Sequence, residues 1–254
     1  NDGILHFLYC EEYAVGLRGG GVFYRRSTDD GVSFSPPVSI LNAFEPLKAN
    51  VIGIGPGHGI CTAEGTLLAP VWFVKQSHGA EPASHHPSSV TTVYSLDNGT
   101  TWQVGEEVPA NGFEDPNESA AVQLSDGRVM LNVRVPKTGY RGMSVSRTGY
   151  SGWSELTLVR ALRDPTCFGS VARIVRPHGT DLLGFVNCAH SAMRVNLTIK
   201  CSEDDGRTWK TVRVLRKAFA GYADIACDSK GNIYVAYEIF SGDKAAIARL
   251  TLCE

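Results

Sequence analysis

An arginine in or at the head of an apolar run needs explaining, and Arg134 and Arg194 of this 254-residue chain are two such cases. Arg134 is the last residue but one of the run Arg128 to Val135 (RVMLNVRV), and Arg194 heads Arg194 to Lys200 (RVNLTIK). A guanidinium placed there wants a carboxylate, the protein's own or a ligand's, because its planar fork matches carboxylate geometry through two hydrogen bonds. Glu118 stands just before Ala120-Ala121-Val122, and Tyr222 follows Gly221 in a turn. Taken singly, such a glutamate is ordinarily solvated, and such a tyrosine packs and makes one hydrogen bond. Together they could do more. A phenol with an unperturbed pKa of about 10 attacks carbon at neutral pH only when a base takes its proton. His78, His85 and His86 crowd the segment Lys75 to Ser89 (KQSHGAEPASHHPSS). No carboxylate pattern accompanies them to set a metal geometry, so the segment reads as a long loop near a binding face.

The elements that must position these groups read as β-strands. The chain carries 27 glycines and 12 prolines, which leave few windows long enough for a helix. Between them lie short segments rich in Val, Ile, Thr, Tyr and Phe, such as Ser89 to Tyr94 (SVTTVY) and Asn232 to Phe240 (NIYVAYEIF). Trp153 to Arg163 (WSELTLVRALR) has some helical character, but its β-branched content favours a strand. The chain opens on Asn1-Asp2-Gly3, a turn signal, and passes at once into Ile4 to Tyr9 (ILHFLY), which reads as the interior of a domain.

One pattern repeats: Ser-x-Asp-x-Gly-x-x-aromatic. It occurs at Ser27 to Phe34, Ser95 to Trp102 and Ser202 to Trp209, and Ser146 to Trp153 is a degenerate copy that keeps the Ser and the Trp. The copies start roughly 50 to 70 residues apart, which suits one four-stranded blade per repeat. The physics of the box is local. A strand ends at the Ser, the Asp accepts backbone N–H groups across the turn, the Gly supplies backbone freedom, and the aromatic packs back between sheets. Three full copies predict a β-propeller and say little about its chemistry.

These boxes resemble the Asp boxes of the sialidase family, and further stretches resemble that family in order. Gly55-Pro56-Gly57-His58-Gly59-Ile60 with Gly65 to Pro70 resembles the opening of its third blade. Asn117-Glu118-Ser119, Leu124 to Arg128 and Leu131 to Arg134 resemble the stretch that holds its catalytic Glu and a carboxylate-binding Arg. Asp164 to Ser170 resembles the start of its fifth blade, and Arg194 to Thr198 the site of another substrate Arg. Gly221-Tyr222-Ala223-Asp224 and Tyr237-Glu238 resemble the nucleophile region and its downstream Glu. The resemblance runs over essentially the whole chain, 1–254, read as one propeller domain. It implies an all-β fold, a six-bladed propeller present here as about five blades. It implies a retaining exo-α-sialidase that uses no cofactor or metal and acts on sialylated glycans. Tyr222 would be the nucleophile and Glu118 its base. Arg134 and Arg194 would grip the substrate carboxylate, and Glu238 would hold a substrate Arg.

The chain also departs from the family. The Arg-Ile-Pro stretch and the acid/base Asp that follows it are not recognisable. Residues 1 to 26 resemble the second blade, so the first blade is expected to be absent and an edge to stay unpaired. Arg18, Arg25, Arg26 and Asp2 are poor substitutes for the missing groups. Losing the acid would cost about 10²–10⁴ in rate, so the 254 residues alone are expected to be less than fully competent. Two other readings stand beside this one: a sialidase-like propeller that binds glycans without hydrolysis, and an Asp-box glycosidase on neutral sugars.

Bulk properties exclude some classes. The formal charge is -2 and no long basic run occurs, so there is no nucleic-acid footprint. The longest apolar runs, such as Thr66 to Val74, are too short to span a bilayer. Seven cysteines form no C-x-x-C pair, so they read as small apolar side chains. Asn98-Gly99-Thr100, Asn117-Glu118-Ser119 and Asn196-Leu197-Thr198 match N-glycosylation sequons.

Overall fold

A computed structural model describes residues 3–12, 20–75, 84–177, 179–240 and 244–251. Their strands form five antiparallel sheets, taken in chain order, with strands paired almost throughout to their sequence neighbours. Sheet I holds β1 (Leu5–Glu11), β2 (Gly21–Ser27) and β3 (Val38–Ser39). Sheet II holds β4 (Ala49–Ile54), β5 (Ile60–Cys61), β6 (Leu67–Lys75), β7 (Ser89–Ser95) and β8 (Gln103–Val104). Sheet III holds β9 (Asn117–Gln123), β10 (Val129–Arg134), β11 (Tyr140–Ser146) and β12 (Thr157–Arg163). Sheet IV holds β13 (Ser170–Ile174), β14 (Leu182–Cys188), β15 (Leu197–Ser202) and β16 (Lys210–Arg216). Sheet V holds β17 (Ala223–Cys227), β18 (Asn232–Phe240) and β19 (Lys244–Thr251). These are five blades of a β-propeller, an incomplete wheel. Of the stretch with some helical character, Thr157–Arg163 is strand β12, as its β-branched content suggested, and 153–156 is neither helix nor strand. Of the expected loop between β6 and β7, residues 76–83 lie outside the described residues.

Both faces of an inner sheet are covered by neighbouring sheets, and the sequence shows it. Strand β6 is buried from Leu67 through Val74, and β14 along its whole length, as near-continuous apolar runs. The core is accordingly a set of layers between sheets. Val22 and Tyr24 of sheet I meet Ile52, Leu67 and Phe73 of sheet II. Leu68 and Val90 of sheet II meet Ala121, Leu131 and Val133 of sheet III. Ala120, Val122 and Met130 of sheet III meet Val171 and Phe185 of sheet IV. Ile174 and Val186 of sheet IV meet Ile225 and Val235 of sheet V. In β9, Ala121 faces one layer while Ala120 and Val122 face the next, the alternation that a strand's period of two imposes.

The boxes close one end of the wheel. In the second, the Ser95 hydroxyl accepts the Gly99 N–H at 2.8 Å and donates to Asp97 Oδ1 at 2.8 Å. Asp97 in turn accepts the Thr101 N–H at 2.8 Å and the Thr101 hydroxyl at 2.6 Å. The first and third boxes repeat these bonds through Asp29 and Asp204. Hydrogen bonds to the charged form hold all three carboxyls down at about 2. Gly99 has φ +83°, a conformation that side chains disfavour. In the degenerate copy the glycine comes one residue early, and Thr148 Oγ1 accepts the Ser151 N–H at 3.0 Å in place of an aspartate.

Candidate active site

The other end of the wheel is where β9 and β17 begin and β10 and β18 end, and four of the five candidate residues gather there, on those strands or directly beside them. Glu118 lies on β9, Arg134 ends β10, Tyr222 directly precedes β17, and Glu238 is near the end of β18. Arg194 comes from the segment before β15.

Tyr222 is held by its backbone. Its N–H donates to Glu238 Oε2 at 3.0 Å, and its carbonyl accepts the Glu238 N–H at 3.0 Å. Gly221 makes the approach possible, since a Cβ there would stand 2.0 Å from Glu238 Oε2. The phenol ring leans on Phe168, with centroids 5.8 Å apart. The Arg194 guanidinium carbon lies 5.5 Å from the Tyr222 ring centroid, a cation–π contact.

The phenol tip meets a carboxylate and a guanidinium. The Tyr222 hydroxyl donates to Glu118 Oε1. Arg134 Nη1 donates to Glu118 Oε2 and, at 3.1 Å, to the Tyr222 hydroxyl oxygen. All three side chains are largely buried, so their charges are weakly screened. Burial pushes the Tyr222 phenol well above its ordinary value, the neighbouring Glu118 charge pushes further, and Arg134 pulls part of the way back. Burial opposes the charge on Arg134, but Glu118 and Tyr222 outweigh it and hold the guanidinium protonated. At neutral pH the site therefore holds a neutral phenol hydrogen-bonded to the Glu118 carboxyl group.

A cavity of about 310 Å³ opens onto this group, lined by Trp72, His85, His86, Asn117, Glu118, Arg134 and Tyr222. Arg134 Nε is buried in that wall with no hydrogen-bond partner. Trp72 reaches the cavity because Gly53 has no side chain, and its ring lies 5.2 Å from that of His85. His86 Nδ1 is 3.3 Å from Asp115 Oδ2. Arg194 Nη2 donates to the Thr166 carbonyl at 3.3 Å.

The structure thus brings Tyr222, Glu118 and Arg134 into direct contact and sets Arg194 against the Tyr222 ring. Glu238, expected to hold a substrate arginine, bonds to the Tyr222 backbone, and none of its hydrogen bonds among the described residues goes to an arginine. Two features escaped the sequence. One is the set of partners of Asp224, a residue marked only as part of the Tyr222 stretch: it accepts from Ser170 Oγ at 2.5 Å and pairs with His58 Nδ1 at 2.8 Å. Burial would raise the Asp224 carboxyl, yet His58 and Ser170 together keep it below its ordinary value. The other is Arg141, fully buried beneath Glu118 and ion-paired with Asp164. The resemblance marked the Asp164 stretch and His58 as blade openings, and nothing marked Arg141.

Known proteins resemble the chain in family and fold. A family model described as a BNR repeat-like domain matches residues 1–235. A sialidase of Micromonospora viridifaciens is 35% identical over 161 residues, 61% of this chain and 24% of that protein. A sialidase of Bacteroides fragilis is 29% identical over 220 residues, 84% of this chain and 38% of that protein. The chain spans less than half the length of these relatives. Among solved structures, a Hadza microbial sialidase superposes with a TM-score of 0.85 at 23% identity, covering 99% of this chain and 50% of that one. A leech intramolecular trans-sialidase superposes with a TM-score of 0.72 at 18% identity, covering 92% and 36%. At these identities the superpositions speak to the fold.

Proposed function

The chain belongs to the BNR-repeat sialidase family, and from that premise we propose that it forms most of the catalytic wheel of a retaining exo-α-sialidase. One observation carries the reading: a partly buried tyrosine hydroxyl donates to a glutamate while an arginine bridges both. Sialic acid bears a carboxylate on its anomeric carbon. A carboxylate nucleophile would approach against that charge, whereas a neutral phenol does not, and sialidases are an exception to the two-carboxylate rule of glycosidases.

In this mechanism the substrate carboxylate is gripped by the guanidinium groups of Arg134 and Arg194. The Tyr222 oxygen attacks the anomeric carbon as its proton passes to Glu118, and the bond to the leaving oxygen breaks. Water then attacks the anomeric carbon, the tyrosyl oxygen leaves and takes its proton back from Glu118, and the proton lost by the water passes through solvent to the departed leaving-group oxygen. Two inversions give net retention. Glu238 sets the backbone of the nucleophile. No counterpart of the family's acid is identified in this sequence, so the 254 residues should cleave aryl sialosides with good leaving groups far better than natural glycosides.

The test uses a fluorinated sialoside and mass spectrometry of the digested protein. A sialyl adduct on Tyr222 is expected. A glycan-binding propeller would bind without the adduct, and a glycosidase for neutral sugars would not bind at all. Transfer is the second reading, since structural relatives include intramolecular trans-sialidases. It shares the tyrosyl intermediate and differs in the acceptor, so product analysis separates the two.

A further inference from the structure

We infer that Arg141 is a positioning residue for Glu118: its buried guanidinium holds the backbone of the base and the loop that anchors Arg194 in one register. The inference rests on the Tyr222–Glu118 chemistry proposed above and adds a residue to it. The need arises in sheet III. The β9–β10 ladder pairs Val133 with Ser119 and then Arg134 with Asn117, so it skips Glu118. A residue skipped in this way is a β-bulge, which re-aims a side chain while removing that residue from the ladder. Here it aims the Glu118 carboxylate at Tyr222 and leaves its backbone to be held by something else.

Arg141 does the holding. Its Nη2 donates to the Glu118 carbonyl at 3.4 Å and to the Asn132 carbonyl at 3.2 Å. Its Nε donates to Asn132 Oδ1 at 2.7 Å. Its Nη1 donates to the Cys167 carbonyl at 2.8 Å and faces Asp164 Oδ2 at 3.5 Å. Asp164 Oδ1 accepts the Cys167 N–H at 3.1 Å, and Asn187 Nδ2 donates to Asp164 Oδ2 at 3.1 Å. Cys167 adjoins Thr166, whose carbonyl holds Arg194. One planar group therefore ties the bulge carrying the base to the loop beneath the second arginine. Only a guanidinium has five donors in a fixed fork to meet that many converging acceptors, and a lysine ammonium has three.

Arg141→Lys keeps the charge beside Asp164 and loses the fork. In the full-length protein, kcat on a fluorogenic sialoside should fall roughly 30- to 100-fold, the scale of a displaced catalytic group. KM and the affinity of an unreactive sialic acid analogue should weaken less than kcat falls, by up to about tenfold, because the loop under Arg194 loses one tie while Arg194 keeps its own. If Arg141→Lys does not fold, Asn132→Ser removes the Nε acceptor and leaves the ion pair, with a smaller loss of kcat expected in the same pattern. A second readout needs no turnover. In a tyrosinate absorbance titration, taken as the difference from each protein's Tyr222→Phe counterpart, Tyr222 should ionise at lower pH in the variant, because Glu118 no longer sits on it. The inference is overturned if kcat stays within about threefold with an unchanged Tyr222 titration, or if kcat and analogue affinity fall together with the folded fraction. If the parent protein cleaves no sialoside, the functional reading fails, and the titration alone decides the role of Arg141.

Discussion

The two ends of the wheel are built on different rules. At the box end, each key hydrogen bond joins residues two to four apart in sequence, such as Ser95 to Gly99 and Asp97 to Thr101. At the site end, Tyr222 and Glu118 are 104 residues apart, and Arg134 and Tyr222 are 88 apart. The first end can form as soon as its own strands turn. The second exists only when sheets III, IV and V have packed. Stability is thus seeded locally and chemistry is assembled globally, so substitutions at the two ends should have separable effects.

The largest expected effect is at the site end. Tyr222→Phe should abolish turnover by at least roughly 10³-fold while leaving the melting temperature nearly unchanged, checked by sialoside kinetics and calorimetry. Unchanged turnover would remove the nucleophile assignment and with it the functional half of the contrast. Gly221→Ala comes next. Its Cβ would displace Glu238 Oε2, so kcat should fall roughly 10- to 100-fold, with a smaller loss of stability.

The box end should behave in the opposite way. Ser95→Ala removes the acceptor of the Gly99 N–H, with an expected cost of about 1 kcal/mol in denaturant unfolding and an unchanged kcat per folded molecule. A matching loss of kcat would show that the ends are coupled. The smallest effect is in acid. The box carboxyls sit at about 2 when folded and about 3.9 when unfolded, so their stabilisation is complete above that unfolded value and disappears as pH falls from about 4 to 2. The melting temperature of the parent should converge on that of Asp97→Asn across this interval.

The same division governs what could be read in the sequence. The boxes were legible because Ser, Asp, Gly and aromatic residues meet within one turn, and their recurrence exposed the propeller. Strand β12 was legible through β-branched content, against a weak helical signal. Tyr222, Glu118, Arg134 and Arg194 stood out only as a set, since each alone has a common structural role. Arg141 was hidden because its partners lie 9, 23 and 26 residues away, and an arginine beside a glycine in a strand gives no sign of burial. The bond from Glu238 to a backbone N–H was equally unreadable, because every residue except proline offers the same donor.

The placement of the indole rings has an optical consequence. Of the four tryptophans, Trp102, Trp153 and Trp209 belong to the boxes, and Trp72 alone walls the cavity beside Tyr222. Emission from this protein therefore carries two signals from opposite poles. With the three box indoles replaced by phenylalanine, the remaining fluorophore becomes an internal gauge of site occupancy, readable without any label.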